Sequence, residues 1–552
     1  MRSYTTSMAL EEQIGQLLVV GFWGTTPSPE IIDLIRNHHI GGIILFSRNV
    51  QDAQQVLELT HSLQMIAKTA GHPAPLLIAI DQENGIVQRL GQGTTLFPGN
   101  MALGATGSEQ IVYDVAQATG RELKALGINM NLAPVVDVNN NPANPVIGVR
   151  SFGEDPHQVA RLAAASVKGF RAAGVISDLK HFPGHGDTAV DSHLALPTIS
   201  STLEQLEAIE LVPFKSGIEA GADSVMIAHI SFPALTHQEA LPATVSPALV
   251  RGLLREKLGF DGVIISDCME MNAVAETIGT ERAAVMALQA GVDLVLVSHT
   301  YARQLGSIEA IQLALQAGDL PPEVVQRAAE RVLRLKDRFL SWDSLLAAPV
   351  PEWVGGPSHQ HLRDQAYEQS TTQVRNDDAL LPLRLDQAEH ILVISPRGEA
   401  YTRAEDRRYP HEFLARSIRQ RHDRVSAMFT SPSLAAGERE EILRTTVASD
   451  LIIMATLNAH LDRLQAELMR DLLQTGRRVI GIAVGNPYDL LAFPQLRSYL
   501  VTYEYTKPAL AAAVRVLFGE IQPNGHLPVS LPGLYPASRV PRHSDLTGDN
   551  LA

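Results

Sequence analysis

Between positions 180 and 193 the chain reads Lys180-His181-Phe182-Pro183-Gly184-His185-Gly186-Asp187-Thr188-Ala189-Val190-Asp191-Ser192-His193. Three histidines, two acids and a lysine surround two glycines and a proline, just after the apolar run Gly174-Val175-Ile176. Titratable groups gathered on a turn behind a buried strand mark a candidate site. Asp191 and His193, two apart in an extended segment, would point the same way. The carboxylate would then fix the imidazole tautomer and leave its other nitrogen for proton transfer near neutral pH. Asp267 closes the run Gly262-Val263-Ile264-Ile265-Ser266, where a strand would hold its carboxylate as rigidly as a covalent nucleophile requires. A carboxylate on one side and a proton donor on the other is the equipment for cleaving a glycosidic bond. Plainer uses exist for the same groups: Asp267 as the cap of a helix beginning near Met269, and Asp191 with His193 as a loop anchor.

These residues need elements to position them. From residue 14 onward, β-branched apolar runs alternate with segments of helical period, the pattern of repeated βα units. Eight such runs occur, at 14–22, 41–46, 76–80, 128–136, 175–179, 224–228, 262–266 and 294–297. Amphipathic stretches at 52–68, 109–126, 156–173 and 203–220 separate some of them. Eight strands with intervening helices predict a closed (β/α)8 TIM-type barrel. Asp81, Asp137, Lys180 with His181, His229, Asp267, and Ser298 with His299 then fall at or just after strand ends. A barrel brings those ends to one face, so these residues would meet at one pocket.

Prolines and glycines from Pro349 to Pro357 break the helical period, so we read 341–360 as a linker. The barrel would occupy 1–340 and a second α/β sandwich-like domain 361–552, with strands at 391–395, 424–429, 451–455, 478–484 and 498–503. That second domain has no glycine-rich phosphate loop, which suggests packing, assembly or rim-building. The polar stretch Gly485-Asn486-Pro487-Tyr488-Asp489 reads as an ordinary turn.

The length of 552 residues suits two or three domains. A hydrophobic fraction of 45% with 19% charged residues excludes a disordered chain. The net charge of -15 argues against nucleic acid or an anionic membrane as partner. The single cysteine, Cys268, suits a reducing compartment. No apolar signal core precedes Glu11 and Glu12, and no run reaches membrane-spanning length. A soluble, cytoplasmic protein is expected.

The 180–193 stretch resembles the signature loop of the β-N-acetylglucosaminidases of glycoside hydrolase family 3. Three further stretches agree in order. Asp81-Gln82-Glu83 with Val87-Gln88-Arg89 is similar to that family's sugar-binding strand end, and Asn144 to Pro156, with Arg150 at its centre, to its arginine loop. Gly259 to Asp267 is similar to its nucleophile strand. The resemblance implies that Asp267 is the nucleophile, His193 the general acid and then base, and Asp191 its orienting partner. It implies that Asp81, Arg89, Arg150, Lys180 and His181 hold a terminal N-acetylglucosamine. It implies no metal and no organic cofactor, a carbohydrate as the partner, and a peptidoglycan fragment as the natural substrate. The chain departs from the family pattern at Asn84 and Ile86, where many members carry glycine and arginine, so altered rim contacts beside the sugar are expected.

Rival readings remain open on the residues alone. The same pocket could serve a phosphorylase, since a neutral histidine repels phosphate less than a second carboxylate would. A β-glucosidase would use a related site. His181, His185, Asp187 and His193 could instead ligate a metal in a barrel hydrolase, or the chain could bind sugar without cleaving it.

Overall fold

The computed structural model describes residues 8–188, 191–345, 349–397, 405, 410–432 and 434–538. Eight parallel strands close a barrel: β1 (Leu18–Val20), β2 (Gly42–Leu45), β3 (Leu77–Ile80), β4 (Met130–Asn131), β5 (Ile176–Phe182), β6 (Ser224–Ile227), β7 (Val263–Cys268) and β8 (Leu294–Val297). Each pairs with its sequence neighbour, and β8 returns to β1 through Leu18–Val295 and Val20–Val297. Helices cover the outside of the barrel and side chains fill its inside, so the strands are buried almost throughout, as in other parallel sheets.

All eight expected strands are present, but four have limits more than one residue from those expected; β7 runs on to Cys268, which makes Asp267 a strand residue. Residues 14–16 of the first run end a helix, Leu10–Gln16, and the strand holds only Leu18–Val20. The helix's first turn is closed by the Ala9 N–H donating to Glu12 at 3.2 Å, and a short run buried on both sides carries no period that separates helix from strand. The run at 128–136 is a continuous strand over two residues only, with a separate bridge from Val135 to Lys180; Pro134 lacks an N–H, and the Asn131 side chain donates to and accepts from the Gln82 backbone, both at 3.0 Å. β5 extends to Phe182, which makes Lys180 and His181 strand residues. The helical stretch at 203–220 is broken into Leu203–Ala208 and Leu211–Glu219, because Pro213 has no N–H to bond the carbonyl four residues back.

The second domain is a six-stranded sheet in the order β9-β14-β13-β12-β10-β11. Its strands are β9 (Thr372–Asn376), β10 (Ile391–Pro396), β11 (Val425–Thr430), β12 (Leu451–Thr456), β13 (Arg478–Ala483) and β14 (Ser498–Val501). Five are parallel; β9 runs antiparallel on one edge. Alternate residues feed two cores. Ile391, Val393, Leu451 and Ile453 pack with the helices Phe413–Arg419 and Lys507–Leu517. Leu392, Ile394, Ile452 and Met454 pack with the helix Arg463–Gln474 and with Met101, Ala102, Ala105 and Val149 of the barrel domain. That shared core joins the two domains.

The segment expected to be a linker is tied down. The buried Glu122 carboxylate accepts from the Gly355 N–H at 3.0 Å and bonds His359 at 2.7 Å. A helix, Pro357–Ser370, begins within it.

Candidate active site

The C-terminal ends of the barrel strands open into a cleft of about 850 Å3. It is lined by Asp81 after β3, Arg89, Arg150, Lys180 and His181 on β5, His193 and Asp267 on β7, so the structure gathers these seven residues at one place. Asp191 stands behind His193.

Opposite charges dominate one wall. Lys180 Nζ lies 2.7 Å from both Asp81 Oδ1 and Glu83 Oε1. Arg150 grips Glu83 with two hydrogen bonds, Nε to Oε2 at 2.9 Å and Nη2 to Oε1 at 2.8 Å, the bidentate geometry that guanidinium and carboxylate share. Arg89 approaches Asp81 Oδ2 at 3.7 Å. Burial works against the charges on Glu83, Lys180 and Arg150, and their neighbours more than offset it. Glu83 is held well below the usual carboxylate range by Arg150 and Lys180. Lys180 is raised by Asp81 and Glu83, and Arg150 by Glu83.

His181 is oriented from below. Its Nδ1 meets Asp137 Oδ2 at 2.7 Å, and Asp137 Oδ1 accepts the backbone N–H groups of His181 at 3.2 Å and His185 at 2.7 Å. Its Nε2 faces Arg150 Nη2 at 3.4 Å. One carboxylate thus fixes the strand end and the turn after it. Gly186 lets that turn sit against the neighbouring backbone, since a Cβ there would lie 1.7 Å from the Val138 carbonyl oxygen.

Asp191 and His193 pair, though not through an extended segment. The stretch is a turn: Asp191 Oδ1 accepts the His193 backbone N–H at 2.9 Å and meets His193 Nδ1 at 2.7 Å. An Asx-type turn gives the same juxtaposition by local hydrogen bonding. Burial would raise the Asp191 carboxyl, but its bonds to His193 hold it down. With Nδ1 engaged, Nε2 is the nitrogen available to the cleft.

Asp267 caps no helix. Its Oδ1 accepts the Cys268 N–H at 2.7 Å, and the next helix, Asn272–Ala275, has no side-chain cap. Burial would raise its carboxyl, yet His229, His181 and His193 together keep it below the usual carboxylate value. His229 is itself fixed, with Nδ1 on Thr244 Oγ1 at 2.7 Å and Nε2 on the Cys268 carbonyl at 2.9 Å.

The four side chains considered as metal ligands are not brought together. His185 is engaged by Thr188 at 2.9 Å and Ser192 at 3.0 Å, and Asp187 is exposed. Asn84 and Ile86, where the chain departs from the family pattern, lie on a short ribbon. Asn84 and Gly85 occupy left-handed backbone, φ 70° and 63°, at the tip of the ribbon formed by Gln82–Asn84 and Val87–Gln88. Asparagine tolerates that region. Ile86 packs on the core shared with the second domain.

Glu83 and Asp137 are the site residues whose contacts the sequence concealed. Their positions, two after Asp81 and at a strand end, were the only signal. From the second domain, Glu405 also lines the cleft.

The sequence profile of the Glycosyl hydrolase family 3 N terminal domain matches residues 9–335, and that of the family's C-terminal domain matches residues 372–547. The chain belongs to glycoside hydrolase family 3. It is a glycoside hydrolase, built as that family's barrel and second domain. It is 34% identical to a protein named beta-hexosaminidase A from Pseudoalteromonas piscicida, over 92% of each chain. Among solved structures it matches a family 3 beta-N-acetylglucosaminidase from a Paenibacillus species with a TM-score of 0.90 and 38% identity, covering 97% of this chain and 100% of that one. It also matches a fungal multi-domain beta-N-acetylglucosaminidase with a TM-score of 0.91 and 44% identity, covering 97% of this chain and 62% of that longer one. No helix among the described residues is long and apolar enough to cross a membrane.

Proposed function

We propose that this protein is a retaining, exo-acting β-N-acetylglucosaminidase that removes terminal non-reducing N-acetylglucosamine by double displacement. The observation that carries the reading is the pairing of Asp267, held ionised on a rigid strand end, with His193, whose Nδ1 is fixed by Asp191. Names of relatives matching over most of this chain point to the same sugar.

In the first half-reaction the Asp267 carboxylate attacks the anomeric carbon while protonated His193 gives its Nε2 proton to the departing glycosidic oxygen. Asp191 accepts from Nδ1–H, which stabilises the imidazolium and keeps Nε2 towards the bond being broken. In the second half, neutral His193 takes a proton from water, which attacks the glycosyl-aspartate and releases sugar with its configuration retained. The Asp81, Arg89, Lys180, Arg150 and His181 wall offers charged donors and acceptors to the sugar hydroxyls, stronger and more directional than neutral ones.

The source of the sugar is proposed, on family resemblance, to be peptidoglycan fragments, and the setting cytoplasmic, which the single cysteine suits. The test compares an aryl β-N-acetylglucosaminide with the matching β-glucoside, with and without phosphate. Preferred release of free N-acetylglucosamine, independent of phosphate and lost in Asp267→Ala, is the expected result. Formation of a sugar phosphate would replace hydrolysis by phosphorolysis, and preference for the glucoside would overturn the assignment of the sugar.

A further inference from the structure

The other wall of the cleft carries a ladder of rings and cations that the bond-breaking steps do not use. It begins at the sugar wall, where Arg89 approaches Asp81 at 3.7 Å. The Arg89 guanidinium lies 5.8 Å from the centre of the Phe46 ring, and Arg48 lies 4.3 Å from the same ring. Arg48 in turn lies 4.7 Å from the Trp23 ring at the mouth. These distances are those of cation–π contacts. Arg48 does not swing freely, because its Nε donates to the Phe22 carbonyl at 2.8 Å and its Nη2 to the Ser298 carbonyl at 2.7 Å. The ladder therefore presents Trp23 at a fixed place, outward of the residues assigned to the terminal sugar.

Trp23 is 67% exposed, and every other large exposed apolar side chain among the described residues is aliphatic. Leaving an indole in water beside a cleft forgoes the burial of a large apolar surface, so such a ring usually awaits a partner. The partner enters a mouth that carries both Arg48 and Glu270. Charges of both signs there favour no ionic ligand, whereas the C–H face of a pyranose matches the flat ring.

We propose that Trp23 is the stacking platform for a pyranose ring on the leaving-group side of the scissile bond, so that the preferred substrate is an oligosaccharide rather than a simple glycoside. The proposal rests on the proposed glycosidase reading and adds the class of leaving group. Phe46 and Arg48 are then positioning residues that hold the indole.

The test uses the full-length protein, N,N′-diacetylchitobiose and methyl β-N-acetylglucosaminide, whose aglycone is too small to stack. Trp23→Ala is expected to lower kcat/KM for the disaccharide about tenfold more than for the methyl glycoside, mostly through KM, as loss of one aromatic stacking contact implies. Trp23→Phe should restore most of the difference. Equal losses on the two substrates, or no loss on either, would overturn the platform. A binding measurement separates this from failure of the enzymatic reading. In Asp267→Asn, disaccharide binding should change the intrinsic fluorescence, and Trp23→Phe in that background should abolish the change. If wild type cleaves neither sugar, the glycosidase reading falls, while the fluorescence result still upholds or overturns the stacking contact.

Discussion

Both sheets end their parallel strands in polar residues, yet the barrel's strand ends surround an open cleft and those of the second sheet end against protein. At the barrel the residues are charged: Asp81, Lys180, His181 and Asp267, with Glu83 and Arg150 brought in by loops. At the second sheet they are mostly amides, hydroxyls and a few buried acids. Asn486 bonds Asn458 at 2.9 Å, the Tyr488 hydroxyl accepts from Asn139 of the barrel domain at 2.9 Å, and Glu504 accepts the Gly99 N–H at 2.8 Å. Gly148 of the barrel domain has φ 42° and sits where a Cβ would lie 2.8 Å from the Asn486 side chain. Ligands of open α/β sheets bind at strand C-termini. Here the barrel's own loops occupy much of that place on the second sheet. Polar strand ends alone therefore do not mark chemistry; paired opposite charges with one face left to solvent do.

The most severe way to break that contrast is to remove the proposed nucleophile. Asp267→Ala should lower kcat on the order of 10^5-fold for every substrate while the fold persists, measured by steady-state kinetics beside circular dichroism. His193→Ala should cost about 10^2 to 10^4-fold, with the largest losses for poor leaving groups, because good ones need little protonation. A leaving-group series with equal losses throughout would remove His193 from the acid role.

Glu83→Gln tests whether the barrel's charges are balanced as a set. Arg150 and Lys180 would lose their shared buried carboxylate, which should lower stability by about 3 to 5 kcal/mol in denaturant titration. Unchanged stability would mean that Asp81 alone satisfies both cations.

Glu504→Gln probes the other sheet and should act in the opposite direction. Burial pushes the Glu504 carboxyl up to about 7, against an ordinary value of 4.5. A carboxyl raised by folding binds its proton more tightly in the folded state, so its contribution is most favourable below pH 4.5 and fades as pH rises towards 7. The wild type should therefore carry a penalty of up to about 3 kcal/mol at pH 8 that the glutamine variant lacks. Parallel stability–pH curves for the two proteins would show that Glu504 is not strained by its charge.

Much of the barrel was legible because its strands are apolar runs bounded by polar residues, and the end of a run told where Asp81, Asp137 and Asp267 would lie. What stayed hidden depended on contacts between distant segments. Glu83 matters because Arg150 and Lys180 converge on it, which no local pattern encodes. β9 escaped notice because Thr372-Gln373-Val374-Arg375-Asn376 is a mixed, half-buried edge with little apolar alternation. Gly485 to Asp489 read as a turn from its composition, yet a short 3-10 helix, Pro487–Leu491, buries Tyr488 and Asp489 at the domain boundary. The Asp191–His193 pair was visible at once, while the turn that makes it was not, since spacing of two fits either geometry.

The most direct measurement of the central claim is to trap the intermediate with a 5-fluoro N-acetylglucosaminyl fluoride and locate the adduct by peptide mass spectrometry. The account predicts one sugar per chain, on the peptide containing Asp267 and on that carboxylate, with turnover recovering as the adduct hydrolyses. An adduct on another residue, or turnover that proceeds with inverted anomeric configuration, would contradict it.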